Sequence, residues 1–171
     1  MKTIKLVVLV ISMLMMTSLS AQNKKMLDEK NGFRELKFGM SIDSVSNLKL
    51  IDGNGISKYY EKTDDKLTIG DYAIESITYG FYKGKLSFIM ITTVGYANSK
   101  GVLNLFTTQY GKGYQSNQYI EEYWWFGKTV SLNYKENSIN NNGKIIMSTN
   151  IFDDEKAADK KAATEKAKND L

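Results

Sequence analysis

A chain with neither histidine nor cysteine lacks the commonest general base, the thiol nucleophile and the usual zinc ligands. Carboxylate, hydroxyl, lysine and tyrosine chemistry remains. Glu121 and Glu122 look like a carboxylate pair, but neighbours on a strand point to opposite faces and cannot flank one glycosidic bond. Ser46-Asn47-Leu48-Lys49 carries the Ser-x-x-Lys letters of a serine–lysine nucleophile without the other motifs of that class. Gly127-Lys128-Thr129 imitates the end of a phosphate-binding loop, yet Glu122 stands five places before Gly127 and no helix pattern follows. Asp52 with Asn54, and Asp153-Asp154-Glu155, offer oxygen donors without the spacing of a calcium loop. A turn and a helix start account for them. These patterns assign no catalytic residue, no metal and no cofactor, and nothing specific points to an enzyme.

The residues that stand out are aromatic. The stretch EEYWWFGKTVSLNY, Glu121 to Tyr134, has four aromatic side chains in succession. On a strand they must divide between two faces. With Gly127-Lys128 as a two-residue hairpin loop, Phe126 faces Thr129, Trp125 faces Val130, Trp124 faces Ser131 and Tyr123 faces Leu132. Tyr123, Trp125, Val130, Leu132 and Tyr134 then form a core face. Glu122, Trp124, Phe126, Thr129, Ser131 and Asn133 form the other. Polar partners mark that second face as outward while Trp124 and Phe126 do not. These two rings, with Tyr82 from an earlier hairpin, are the candidate binding residues. The alternative is that a loop or the C-terminal helix covers Trp124 and Phe126.

The elements that must position them follow from pattern. A short strand is expected within Phe33–Phe38, and Ser41 is a good cap for a helix running to Leu48, with Met40 and Val45 as a staple. Asp52 to Gly55 marks a turn, and Ile56 to Lys62 and Lys66 to Ile69 read as extended. Ile74 to Val94 reads as a hairpin about Lys83-Gly84, pairing Phe81 with Leu86, Tyr79 with Phe88 and Ile77 with Met90 on one apolar face. Thr78, Gly80, Tyr82, Lys85 and Ser87 take the other face, from which Ile89 departs. A second helix is expected from Asn98 as cap to Tyr110, with Val102, Leu103, Phe106 and Tyr110 inward and Gly111 as its stop. Strands at Tyr119–Phe126, Thr129–Glu136 and Lys144–Phe152 complete the body. The tail has acids first and lysines later, which suits a helix lying loosely on the body or projecting from it. The succession of helix and strands occurs twice, which suggests a weak tandem repeat.

The start, MKTIKLVVLVISMLMMTSLSAQ, has the layout of a secretory signal peptide: Lys2 and Lys5, an apolar run from Leu6 to Met16, and a small polar exit ending at Ala21. The apolar run is shorter than the roughly 20 residues of a spanning helix, so no membrane span is expected after cleavage. Lys2 and Lys5 are two of the 23 basic residues, so the exported chain carries +2 and not +4. Its lysines are dispersed, which argues against a nucleic-acid partner. The expected division is a signal peptide at 1–21, a flexible lead at 22–32, a single α+β domain at 33–152 and a charged helix at 153–171.

Phe38-Gly39-Met40-Ser41 followed by Val45 resembles the helix opening of the fold shared by the β-lactamase inhibitory protein and the small outer-membrane assembly lipoproteins. Tyr79-x-Phe81-x-x-Gly84-Lys85-Leu86 resembles the hairpin that follows it there. The opening is also similar to that of small exported proteins of Bacteroidetes. The resemblance covers residues 33 to 94 and implies action by protein binding. This chain departs from the lipoproteins in lacking their anchoring cysteine, and it has no proline. The resulting expectation is an antiparallel sheet with two helices on one face and a terminal helix. It would be an exported protein, periplasmic or secreted, that binds another envelope protein. A carbohydrate-binding module stacking a glycan on Trp124, Phe126 and Tyr82 is the alternative.

Overall fold

The computed structural model describes residues 25–168. The expected signal peptide lies outside them. Residues 25–30 form a helix, α1, where a flexible polar lead was expected. Its Leu27 is sealed in the core at 1% exposure, which ties this segment to the body. A small hairpin comes next, β1 (Gly32–Phe33) and β2 (Leu36–Lys37), turning at Arg34, whose φ is 53°.

Beyond it lie β3 (Leu48–Asn54), β4 (Ser57–Lys62), β5 (Thr68–Ile69), β6 (Tyr72–Tyr82) and β7 (Lys85–Thr93). Helix α2 (Gly95–Tyr110) leads to β8 (Glu122–Phe126), β9 (Val130–Glu136) and β10 (Gly143–Thr149), and α3 (Asp153–Lys168) closes the described chain. One antiparallel sheet holds most strands in the order β3-β4-β6-β7-β10-β9-β8, with β5 against β6. The protein is thus α+β. Among the described residues no helix is long and apolar enough to cross a membrane.

The helix expected at Ser41–Leu48 is instead a 3-10 turn at Ile42–Ser44 followed by β3. A helix of two turns is marginal alone. Here Asn47 adopts a left-handed φ of 61° and the following residues gain a ladder to β4. The first of the two helices on the covered face is therefore α1. The second, α2, starts a turn earlier than expected. Asn98 is not its cap: its side chain accepts the Ala73 N–H (2.9 Å) and donates to the Val94 carbonyl (2.8 Å). The inward set is as expected, with Val102, Leu103, Phe106 and Tyr110 all buried and Gly111 ending the helix at φ 76°.

Register decides which residues meet those helices. The β6–β7 turn is the two-residue Lys83-Gly84 loop, with positive φ at both positions, and Phe81 pairs with Leu86. Beyond that pair a β-bulge intervenes at Ser87, so Gly80 faces Phe88, Tyr79 faces Ile89 and Ile77 faces Ile91. The expected pairs Tyr79–Phe88 and Ile77–Met90 do not form. One extra residue sends every later side chain of β7 to the opposite face. Ile89 and Ile91 go inward at 0% exposure, while Phe88 and Met90 go outward and are half-buried.

The β8–β9 connection differs in another way. Residues 127–129 connect the strands, closed by Gly127 N–H to the Val130 carbonyl at 2.8 Å, so Phe126 faces Ser131 and Trp125 faces Leu132. Each pair is displaced by two residues from the two-residue-loop expectation. An even displacement leaves every side chain on its expected face. Trp125, Val130, Leu132 and Tyr134 are buried, and the Trp125 indole N–H donates to the Gly111 carbonyl at 2.8 Å.

Candidate binding face

The strand pairings define a second face of the sheet that α1 and α2 do not touch. One row across it runs Tyr59, Gly80, Phe88, Ser148, Ser131, Phe126. The next runs Thr78, Met90, Ile146, Asn133, Trp124, Tyr114, the last through an isolated bridge beyond β8. At about 4.8 Å per strand, the strip from β4 to β8 is roughly 24 Å long. Its rim is polar, with Lys144, Lys135, Glu122, Ser76 and Thr92.

Trp124 and Phe126 lie together on this face as expected. Their rings are parallel within 3° and 5.8 Å apart, an offset stack. Trp124 is half-buried and Phe126 is 50% exposed. Tyr114 extends the pair, 63% exposed, because its backbone exchanges hydrogen bonds with Trp124 at 2.7 and 2.9 Å. No local pattern marks Tyr114 in the sequence, since its place depends on where a loop returns. Phe88, Met90 and Ile146 also join the face, the first two because of the bulge. Tyr59 and Phe88 meet edge to face, 6.2 Å apart, over Gly80. A Cβ there would come within 3.0 Å of Phe88 and 3.1 Å of Tyr59, so a larger residue would have to push the two rings aside.

Tyr82 belongs to the same face but is not available. It is 3% exposed because α3 crosses that end of the sheet. Phe152 packs on its ring at 6.1 Å, Asp159 accepts its hydroxyl, and Lys83 pairs with Glu155 (2.8 Å) and Asp159 (2.7 Å). The tail helix does act as a cover, but over Tyr82. Trp124 and Phe126 stay outside it.

Clusters resembling catalytic apparatus prove self-satisfied. Glu121 and Glu122 do point apart: Glu121 meets Lys100 at 2.6 Å, and Glu122 meets Lys135 at 3.4 Å. Lys100 also reaches Glu136 at 3.2 Å, and Tyr134 and Tyr123 donate hydroxyl bonds to Glu136 and Glu121. Burial alone would lower the Lys100 pKa, but the two carboxylates hold it above its usual value. This network braces α2 to β8 and β9. Asp65 takes Arg34 at 3.2 Å and the Tyr79 hydroxyl at 2.8 Å, which pins the loop before β5. Its burial raises its pKa despite both partners. Ser46 and Lys49 straddle left-handed Asn47, with no helical turn to bring them together.

The phosphate-loop imitation at Gly127 has a different outcome. The N–H groups of Lys128, Thr129 and Val130 converge on the Asp28 carboxylate at 2.6, 2.9 and 3.0 Å, and the Thr129 hydroxyl adds a bond at 3.0 Å. The loop is an anion nest holding an anion from the chain itself. A Cβ on Gly127 would lie 2.3 Å from that carboxylate, so glycine admits it. Desolvation would raise the Asp28 pKa, but the converging donors outweigh it and hold the group below its ordinary value.

Fold and face together define an α+β protein whose antiparallel sheet is covered by helices on one side and largely open on the other. Comparison with protein-family models, with curated proteins and with solved structures returned no match.

Proposed function

We propose that this is an exported, non-catalytic binding protein that docks another cell-envelope protein on the open face of its sheet. The observation that carries the reading is the apolar strip of Trp124, Phe126, Tyr114, Phe88, Met90 and Ile146. It is framed by polar residues, crossed by Ser131, Ser148 and Asn133, and left uncovered by α1 and α2. A broad apolar patch with a polar rim, rich in aromatic side chains, has the composition of a recognition surface. The signal-peptide layout of residues 1–21 supports export, and the likeness of residues 33–94 to protein-binding envelope folds agrees with the role.

The carbohydrate alternative loses one of its three stacking rings, since Tyr82 lies beneath α3. It is weakened further because Trp124 and Phe126 turn ring faces toward each other. Affinity capture from envelope extract should recover a protein with the wild type and not with the double variant Trp124→Ser, Phe126→Ser. The purified partner should bind the double variant more weakly by about 2 kcal/mol or more. Equal capture by both proteins would refute the role of this face.

A further inference from the structure

The chain itself carries an example of what its open face holds. At the start of α3, the aromatic Phe152 seats against Tyr82 while Glu155 and Asp159 take Lys83. An aromatic anchor followed by acids thus docks on a ring beside a lysine.

The same combination recurs next to it. Phe126, stacked on Trp124, shares a cleft with Lys128 and Lys156, and neither lysine makes an ion pair among the described residues, although Lys156 lies over the Tyr82 ring at 5.5 Å. A cleft of about 300 Å³ separates Phe126 from the start of α3, with Lys128 and Lys156 in its walls and the hydroxyls of Ser131 and Ser148 lining it. Asp153 also lines it, and Glu122 is engaged by Lys135. In the lining two lysines stand against the one carboxylate of Asp153, while Asp28 is taken up by the loop amides, and the cleft runs on to the start of α3.

Building on the docking role of the open face, we propose that the partner presents an acidic segment with an aromatic or large aliphatic anchor. The anchor packs against Trp124 and Phe126, and neighbouring carboxylates meet Lys128 and Lys156 across the cleft. Because the pairs form at the rim of an apolar contact, they select the partner and accelerate encounter more than they add affinity.

The test is selection from a displayed random-peptide library on the purified protein, with counter-selection on the Trp124→Ser, Phe126→Ser variant. Enriched peptides should place Asp or Glu within a few residues of Phe, Trp or Leu. Their affinity should fall about tenfold in Lys128→Glu, Lys156→Glu, and should weaken as salt shortens the screening length. The salt series needs no substitution, so it decides the matter even if the charge-reversed protein is unstable. Basic or uncharged peptides that still require Trp124 and Phe126 would overturn the acidic partner and leave the face standing. Peptides indifferent to the double variant, or no enriched sequence, would overturn both. Binding of anionic vesicles or a uronic-acid polysaccharide through the same residues, without peptide binding, would replace the protein partner and so overturn the proposal.

Discussion

The two faces of the sheet are made from the same strands, often from adjacent residues, and they end differently. Ile89, Ile91, Leu132, Tyr134 and Ile145 face α1 and α2 at 0% exposure. Phe88, Met90 and Ile146, one residue away along their strands, and Trp124, beside buried Trp125, stay half-exposed on the other side. Both sets are apolar, so hydrophobicity alone does not separate core from surface. The difference lies in what packs above each face. The covered face receives α2 through Val102, Leu103, Phe106 and Tyr110, whereas among the described residues the open face receives α3 at one end, held by surface ion pairs, the Tyr82–Asp159 hydrogen bond and the Phe152 ring contact.

This contrast can be broken most fully at a sealed position: Ile91→Asp would put an unpaired carboxylate on the covered face, where Ile91 is 0% exposed. The expected result is loss of the cooperative unfolding transition; a variant with near wild-type stability would put Ile91 outside the core. Deleting Ser87, by contrast, joins Leu86 directly to Phe88 and should leave every side chain of β7 on its present face. Ile89→Ala should come second, costing about 2–5 kcal/mol in denaturant unfolding.

Asp28→Ala comes next, because it strands three backbone donors beneath α1, at about 1–3 kcal/mol. The folded Asp28 pKa lies below its ordinary value of 3.8, so its stabilisation is present above that pH and lost as pH falls through the folded pKa. Wild type and variant should therefore differ at neutral pH, and the gap should narrow progressively as pH falls below about 4. A gap that does not narrow on acidification would mean the carboxylate's charge is not what holds the loop.

Phe88→Ala should cost only about 1 kcal/mol, since a half-exposed ring forfeits less burial than a sealed one. A loss equal to that of Ile89→Ala would put Phe88 in the core. Deleting residues from Asp153 onward should have the smallest effect, under about 1 kcal/mol. It should expose Tyr82 while leaving tryptophan emission unchanged. A clear red shift would place Trp124 beneath the tail and close the open face.

The two hairpins show why part of this is legible in the sequence and part is not. At β6–β7 the loop is readable, because Lys83-Gly84 suits two positive φ angles, yet the faces beyond it invert. The bulge at Ser87 has no strong local signal beyond Ile89 standing out of pattern. At β8–β9 the loop is longer than its Gly-Lys pair suggests, yet the faces hold, because the displacement is even. The true loop length depends on Asp28, which is distant in sequence. The site is legible to the same extent. Pattern alone picks out Trp124 and Phe126, and it puts Tyr82 on the right face without its cover. It does not reach Tyr114, Phe88 or Met90.

Composition and alternation by themselves determined that this chain has no histidine or thiol chemistry, that it forms an antiparallel α+β fold, and that Trp124 and Phe126 share a side with polar neighbours. Those are properties of residue type and of short-range geometry with a period of two. Tertiary structure alone decided that Leu48–Asn54 is an edge strand, that the N-terminal segment is anchored through Leu27 and Asp28, and that α3 lies over Tyr82. Each depends on contacts between segments far apart in the chain, whose free energy outweighs local preferences that differ by little more than a kilocalorie.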